Sequence, residues 1–118
     1  MKNELSEILG LKSGMSTYFA HAPAEYFNWL NIKTFTHRPD DDGTYQFIHA
    51  FFTEKDQLEA SFGILASKLS DDGVLWISIP KNSSDIDKNT VLELANLNNL
   101  KESKEAEFTD WLAFQFVV

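Results

Sequence analysis

Apolar and polar positions along this chain switch between the helical and the strand period, and the order of the switches predicts an architecture. Leu5, Ile8 and Leu9 fall on one helical stripe closed by Gly10, which predicts a short helix from Glu4 to Leu9. After Gly14, the aromatic and small residues of Met15 to Ala20 predict a short buried strand. Pro23 suits the first turn of a helix, where its missing N–H would have no partner in any case. The segment Glu25 to Asn31 follows as that helix, with Tyr26, Phe27, Trp29 and Leu30 as its apolar face. Ile32 to His37 alternates and predicts a half-exposed strand toward a sheet edge.

The run from Arg38 to Gly43 (Arg-Pro-Asp-Asp-Asp-Gly) carries turn chemistry. Tyr45 to Phe52 is almost continuously apolar, the pattern of a central parallel strand buried on both faces. Thr53, with Asp56 three residues later, predicts the N-cap of the next helix. Leu58, Phe62, Leu65 and Leu69 form its buried side, and it should stop before Asp71-Asp72-Gly73. Val74 to Ile79 predicts a second buried strand, ended by Pro80 and a polar loop over 81–85. A last helix is expected from about Thr90 to Asn98, burying Val91, Leu94, Ala95 and Leu97. Two strands, Lys101 to Phe108 and Leu112 to Val117, close the chain and should pair antiparallel across Thr109 to Trp111. The expected fold is one α/β domain over residues 1–118: a three-layer, mostly parallel sheet with a C-terminal antiparallel hairpin.

Composition narrows the function. A chain of 118 residues with 43% hydrophobic side chains forms one core, and with no cysteine it has no thiol chemistry, disulfides or thiolate metal sites. A formal net charge of -8, with Arg38 the only arginine, argues against nucleic acid and anionic lipid as partners. No apolar run reaches the roughly 18 residues of a membrane span, and the first residues lack a signal-peptide pattern. The cytoplasm is the expected location.

Five stretches carry a resemblance. Leu9-Gly10-Leu11-Lys12-Ser13-Gly14-Met15 is followed by Ala22-Pro23 and by Tyr45-Gln46-Phe47-Ile48-His49. Next come Leu69 to Ser84, with Asp72-Gly73-Val74-Leu75-Trp76 and Lys81-Asn82-Ser83-Ser84 at its heart, and the closing Asp110-Trp111-Leu112-Ala113-Phe114-Gln115-Phe116. Together they resemble a small bacterial domain family of unknown function related to class I S-adenosylmethionine-dependent methyltransferases. The resemblance implies a Rossmann-like methyltransferase fold in miniature, short of one strand and helix. Methyltransferases of this fold place a Gly-rich turn after the first strand and an acidic residue at the end of the second. Here the turn reads Ala20-His21-Ala22-Pro23-Ala24, without glycine, and the second strand ends His37-Arg38-Pro39.

Ligands of open α/β sheets sit at the carboxyl ends of the strands. That rule gathers His21, His37, Arg38, Thr53, Lys81, Ser83 and Ser84, with Glu54, as candidate ligand-binding residues. Lys81 to Ser84 supply an ammonium and several hydroxyl or amide donors suited to a small anion, or else a solvated loop. His49 lies mid-strand beside Phe47 and Phe51 and is expected to be a hydrogen-bonded core imidazole. No spaced ligand pattern predicts a metal site, and no nucleophile motif predicts a catalytic residue. The leading expectation is therefore a domain without catalysis or cofactor that binds a small molecule or a protein. The alternatives are a minimal S-adenosylmethionine- or nucleotide-dependent transferase with an unusual loop, and a self-associating subunit.

Overall fold

The computed structural model describes residues 8–12, 14–30, 36, 38–40, 43–83 and 85–118. The elements run β1 (Thr17–Ala20), α1 (Tyr26–Leu30), β2 (Tyr45–Phe51), α2 (Lys55–Ser67), β3 (Leu69–Pro80), α3 (Lys88–Leu97), β4 (Lys101–Phe108) and β5 (Trp111–Val117). Of the predicted first helix and edge strand, positions 4–7, 32–35 and 37 lie outside the described residues, as does position 31 at the end of the predicted second helix. Thr36 pairs with Ser16 in parallel, and its backbone exchanges hydrogen bonds with Thr17 and Met15 at 2.7 and 3.1 Å.

The five strands form one mixed sheet in the order β1-β2-β3-β5-β4. Pairing is parallel from β1 through β2 to β3, and antiparallel where β5 meets β3 and β4. Parallel pairing is thus confined to one half of the sheet, because the chain returns through β5 between two strands that run the other way. β2 is buried almost throughout, as its unbroken apolar run requires.

Alternation along the strands sorts side chains into two clusters. Ile48, Ala50, Leu75, Ile77, Phe114 and Phe116 pack with Leu58, Phe62 and Leu65 of α2 and Val91 and Ala95 of α3. Phe47, Phe51, Trp76 and Ala113 pack with Tyr26 of α1 and with Leu9 and Leu11. Trp76 anchors this second cluster by donating its indole N–H to the Leu9 carbonyl at 2.7 Å.

Several local expectations are corrected. Thr53 does not cap α2. Glu54 holds the cap position with no side-chain bond, and the Lys55 N–H donates instead to Asp85 Oδ2 at 2.9 Å, from the loop after β3. α2 ends at Ser67, so Leu69 belongs to β3, which starts five residues before Val74. The turn-like Asp71-Asp72-Gly73 lies inside that strand, where the register slips between Tyr45↔Leu69 and Phe47↔Val74. Gly73 makes the slip possible: a Cβ there would stand 2.9 Å from the Gln46 carbonyl and 3.0 Å from that of Tyr45. α3 starts earlier than expected, capped by Asp87, whose carboxylate accepts the Thr90 N–H. That bond, first among the causes, lowers the Asp87 pKa. Leu97 is not part of the buried side but 77% exposed.

Candidate functional site

The parallel register brings the carboxyl ends of β1, β2 and β3 to one edge, with Ala20 opposite Ala50 and Phe51 opposite Ser78. Each predicted site residue can be placed relative to that edge. His21 follows β1 with φ 58, a left-handed backbone that a non-glycine residue seldom adopts. Its imidazole stands edge-on to Phe52, ring centroids 5.7 Å apart. Thr53 follows Phe52 and is exposed.

Lys81 and Ser83 follow β3, two strands away, or roughly 10 Å across the sheet. Both have other partners. Lys81 pairs with Glu107 of β4 at 3.4 Å, and its N–H donates to the Asp110 carbonyl. The Ser83 hydroxyl accepts the N–H groups of Asp85 and Ile86 at 3.2 and 3.1 Å, which folds the loop onto α3. Arg38 is exposed, with its N–H donated to Thr36 Oγ1. His37 and Ser84 lie outside the described residues. His21 and Thr53 therefore follow neighbouring parallel strands, while Lys81 and Ser83 serve the loop after β3.

An open cavity of about 180 Å³ lies beside His21, between β1 and α2. Its walls are Tyr18, Ala20 and His21 from β1 and its turn, Phe52 from the end of β2, and Ser61, Ile64 and Leu65 from α2. Sequence reasoning reached His21 through the strand-end rule but missed Tyr18, Phe52, Ser61 and Ile64. The available signal was Ile64 itself, a large apolar residue off the buried stripe of α2 and 59% exposed.

On the opposite face, β2 presents a sealed polar chain. His49 Nδ1 lies 2.6 Å from the Tyr26 hydroxyl, and His49 Nε2 lies 2.5 Å from Ser78 Oγ. All three residues are fully buried, and Phe51 stacks on the imidazole at 4.3 Å. Burial holds His49 neutral, well below the usual imidazole pKa, and raises that of Tyr26. A serine, a histidine and an orienting hydroxyl are the parts of a nucleophilic site. With no solvent access, this set serves as a satisfied core network, as the mid-strand position of His49 predicted.

The whole arrangement, with β5 returning antiparallel between β3 and β4, was set against solved structures. The chain superposes on a putative methyltransferase from Thermoplasma acidophilum with a TM-score of 0.61 at 10% identity, covering 90% of this chain and 69% of that one. The fold is that of the class I methyltransferases. A ribosomal protein L11 methylase from Lactobacillus delbrueckii subsp. bulgaricus matches 94% of this methyltransferase-like chain and 64% of its own, with a TM-score of 0.55 at 18% identity. Magnesium protoporphyrin IX methyltransferase from Synechocystis PCC 6803, with bound S-adenosylmethionine, gives 0.52 at 16% identity over 79% of this chain and 49% of that one. The methyltransferase-like chain thus spans about half to two thirds of the length of the last two enzymes. No protein-family model matches it, and no curated protein does. Among the described residues, no helix is long and apolar enough to cross a membrane.

Proposed function

We propose that this chain is a binding domain on a three-layer, Rossmann-like methyltransferase fold with a closing hairpin. In this reading it takes a small molecule in the crevice at the ends of β1 and β2 and transfers no methyl group. The turn after β1 carries the proposal: where close approach of a cofactor asks for glycine, His21 takes the left-handed position and packs its ring on Phe52. Pro23, two residues on, removes a backbone donor from the same turn. These residues do not fit S-adenosylmethionine, because a ring occupies the turn and the adjoining cavity is about 180 Å³.

A second reading, a minimal S-adenosylmethionine-dependent transferase, draws on the neighbour whose structure holds that molecule. One experiment separates the two. Isotope-labelled protein is titrated with S-adenosylmethionine, S-adenosylhomocysteine and a panel of nucleosides, sugars, carboxylates and neutral aromatics, and amide shifts are followed. The binding-domain reading expects saturable shifts in residues 18–21, 52 and 61–65 from a panel member and none from the two cofactor forms at millimolar concentration. Saturable binding of S-adenosylmethionine would overturn the misfit argued from the turn and favour the transferase reading, which methyl transfer to an acceptor would then have to demonstrate. A silent crevice across the whole panel would remove the binding reading.

A further inference from the structure

The β1–α2 cavity has a lining more specific than a generic crevice. Tyr18 and Ala20 point to the same face of β1 and pack against the first cluster, so they form a wall and a floor. Phe52 and the His21 imidazole, set edge-on to each other, form the end. Ser61, Ile64 and Leu65 lie one turn apart on α2 and form the opposite wall, with Ile64 at the mouth. Tyr18 is a fixed wall: its ring is held by Tyr45 at 5.3 Å and covered by the Lys68 ammonium at 5.6 Å.

We infer that this cavity is a site for one uncharged aromatic ring bearing a single hydrogen-bonding substituent. Its volume of about 180 Å³ slightly exceeds the roughly 150 Å³ of an apolar cavity that accepts benzene. Three aromatic rings face the space and favour edge-to-face contact over aliphatic filling. The polar side-chain groups of the lining are the His21 imidazole and the hydroxyls of Tyr18 and Ser61, with no carboxylate, ammonium or guanidinium among them. No charged group of the lining would compensate a charged ligand for lost hydration, and the net charge of -8 further disfavours an anion. The Ser61 hydroxyl and the His21 imidazole are side-chain groups of that lining able to bond such a substituent.

This inference rests on the binding-domain reading, and its test separates the two. Phenol is the probe, with cyclohexanol as a ring-saturated control of similar size and benzoate as a charged one. Phenol is expected to shift the amides of Ala20, His21, Phe52 and 61–65 saturably, with both controls needing at least about tenfold higher concentration. Ser61→Ala should weaken phenol about fivefold through loss of one hydrogen bond, with an unchanged melting temperature. Ala20→Leu should fill the floor and abolish the shifts. Because Ala20 lies in the sheet, Ser61→Phe on the half-buried helix face is the second filling variant and should do the same. Equal response to cyclohexanol or benzoate, or no response to phenol, overturns the ligand class. If another panel compound shifts these amides, the crevice stands and only the class falls; if nothing shifts them, both fall.

Discussion

Tyr26, the first residue of α1, reaches its hydroxyl to within 2.6 Å of His49 Nδ1 in the middle of β2, and so ties the shortest helix to the centre of the sheet. Ser78 on β3 holds the other ring nitrogen. In a neutral imidazole one nitrogen donates and the other accepts, and the two hydroxyls supply the complementary roles. The stability of that face should therefore depend on the charge state of a single buried ring.

Acid should destabilise the fold through His49. Burial lowers its pKa in the folded state, so below about 6.5 the unfolded chain binds a proton that the folded chain refuses. Stability is complete above that pH and falls as pH drops below it. Urea midpoints between pH 8 and pH 5 check this, and His49→Gln should flatten the acid limb. Tyr26, raised by burial, acts at the other end: stability should fall as pH rises above about 10, where the unfolded phenol ionises.

Tyr26→Phe should cost about 1–3 kcal/mol, because it leaves a buried imidazole nitrogen without its hydroxyl partner. Ser78→Ala should cost a similar amount. The double variant should lose less than the sum, with a coupling of about 0.5–3 kcal/mol in a denaturation cycle, because both bonds fix the same ring. Strict additivity would mean that the two bonds are independent.

Gly73→Ala should be among the most damaging single-methyl changes. The new Cβ would meet the Ser70 hydroxyl at 2.7 Å and two β2 carbonyls at 2.9 and 3.0 Å, and backbone carbonyls of a paired strand cannot turn aside. A loss of about 1–3 kcal/mol is expected in urea unfolding. Gly63→Ala is the control. Its Cβ would meet nothing nearer than 3.6 Å, and alanine is the better helix former by about 1 kcal/mol, so it should stabilise.

At His21 the left-handed backbone reverses the usual order of substitutions. His21→Gly should leave stability within about 0.5 kcal/mol of the parent or raise it, whereas His21→Val should lose about 1–2 kcal/mol. Thermal melts of the two variants decide this. Equal losses would mean that the ring contact with Phe52, not the backbone, sets the cost.

Asp85→Ala tests the capping of α2 from a distance. Removing the carboxylate that accepts the Lys55 N–H should cost about 1 kcal/mol, while Thr53→Ala should change little. A larger loss at Thr53 would return the cap to the position that local sequence suggests.

What could be read from the sequence was what short-range pattern controls. The unbroken apolar runs of β2 and β3, the Leu58-Phe62-Leu65 stripe and the antiparallel pairing of the last two strands all follow from periodicity. Features set by distant partners could not be read. Asp71-Asp72-Gly73 looks like a turn because the β2 carbonyls that Gly73 approaches, those of Gln46 and Tyr45, lie 27 and 28 residues away in the chain. The α2 cap is 30 residues from the helix it serves. The same holds for the site. His21 follows from the strand-end rule, but Lys81 and Ser83 show only their donor chemistry in sequence, not that Glu107 and the backbone of 85–86 occupy it. Tyr18 and Ser61 carry no motif; only the fold makes them neighbours across a cavity.

The place of β5 between β3 and β4 also dictates an order of assembly. As the chain is made, α3 and β4 emerge before the strand that joins them to the sheet, so the edge of β3 stays open until Trp111 to Val117 have been added. β4 waits meanwhile as a strongly charged segment, Lys-Glu-Ser-Lys-Glu-Ala-Glu, that is poorly suited to dock elsewhere or to recruit another chain. Those charges protect an intermediate as much as the finished edge. Neutralising them should show itself first as aggregation during synthesis or refolding, before any loss in the folded protein.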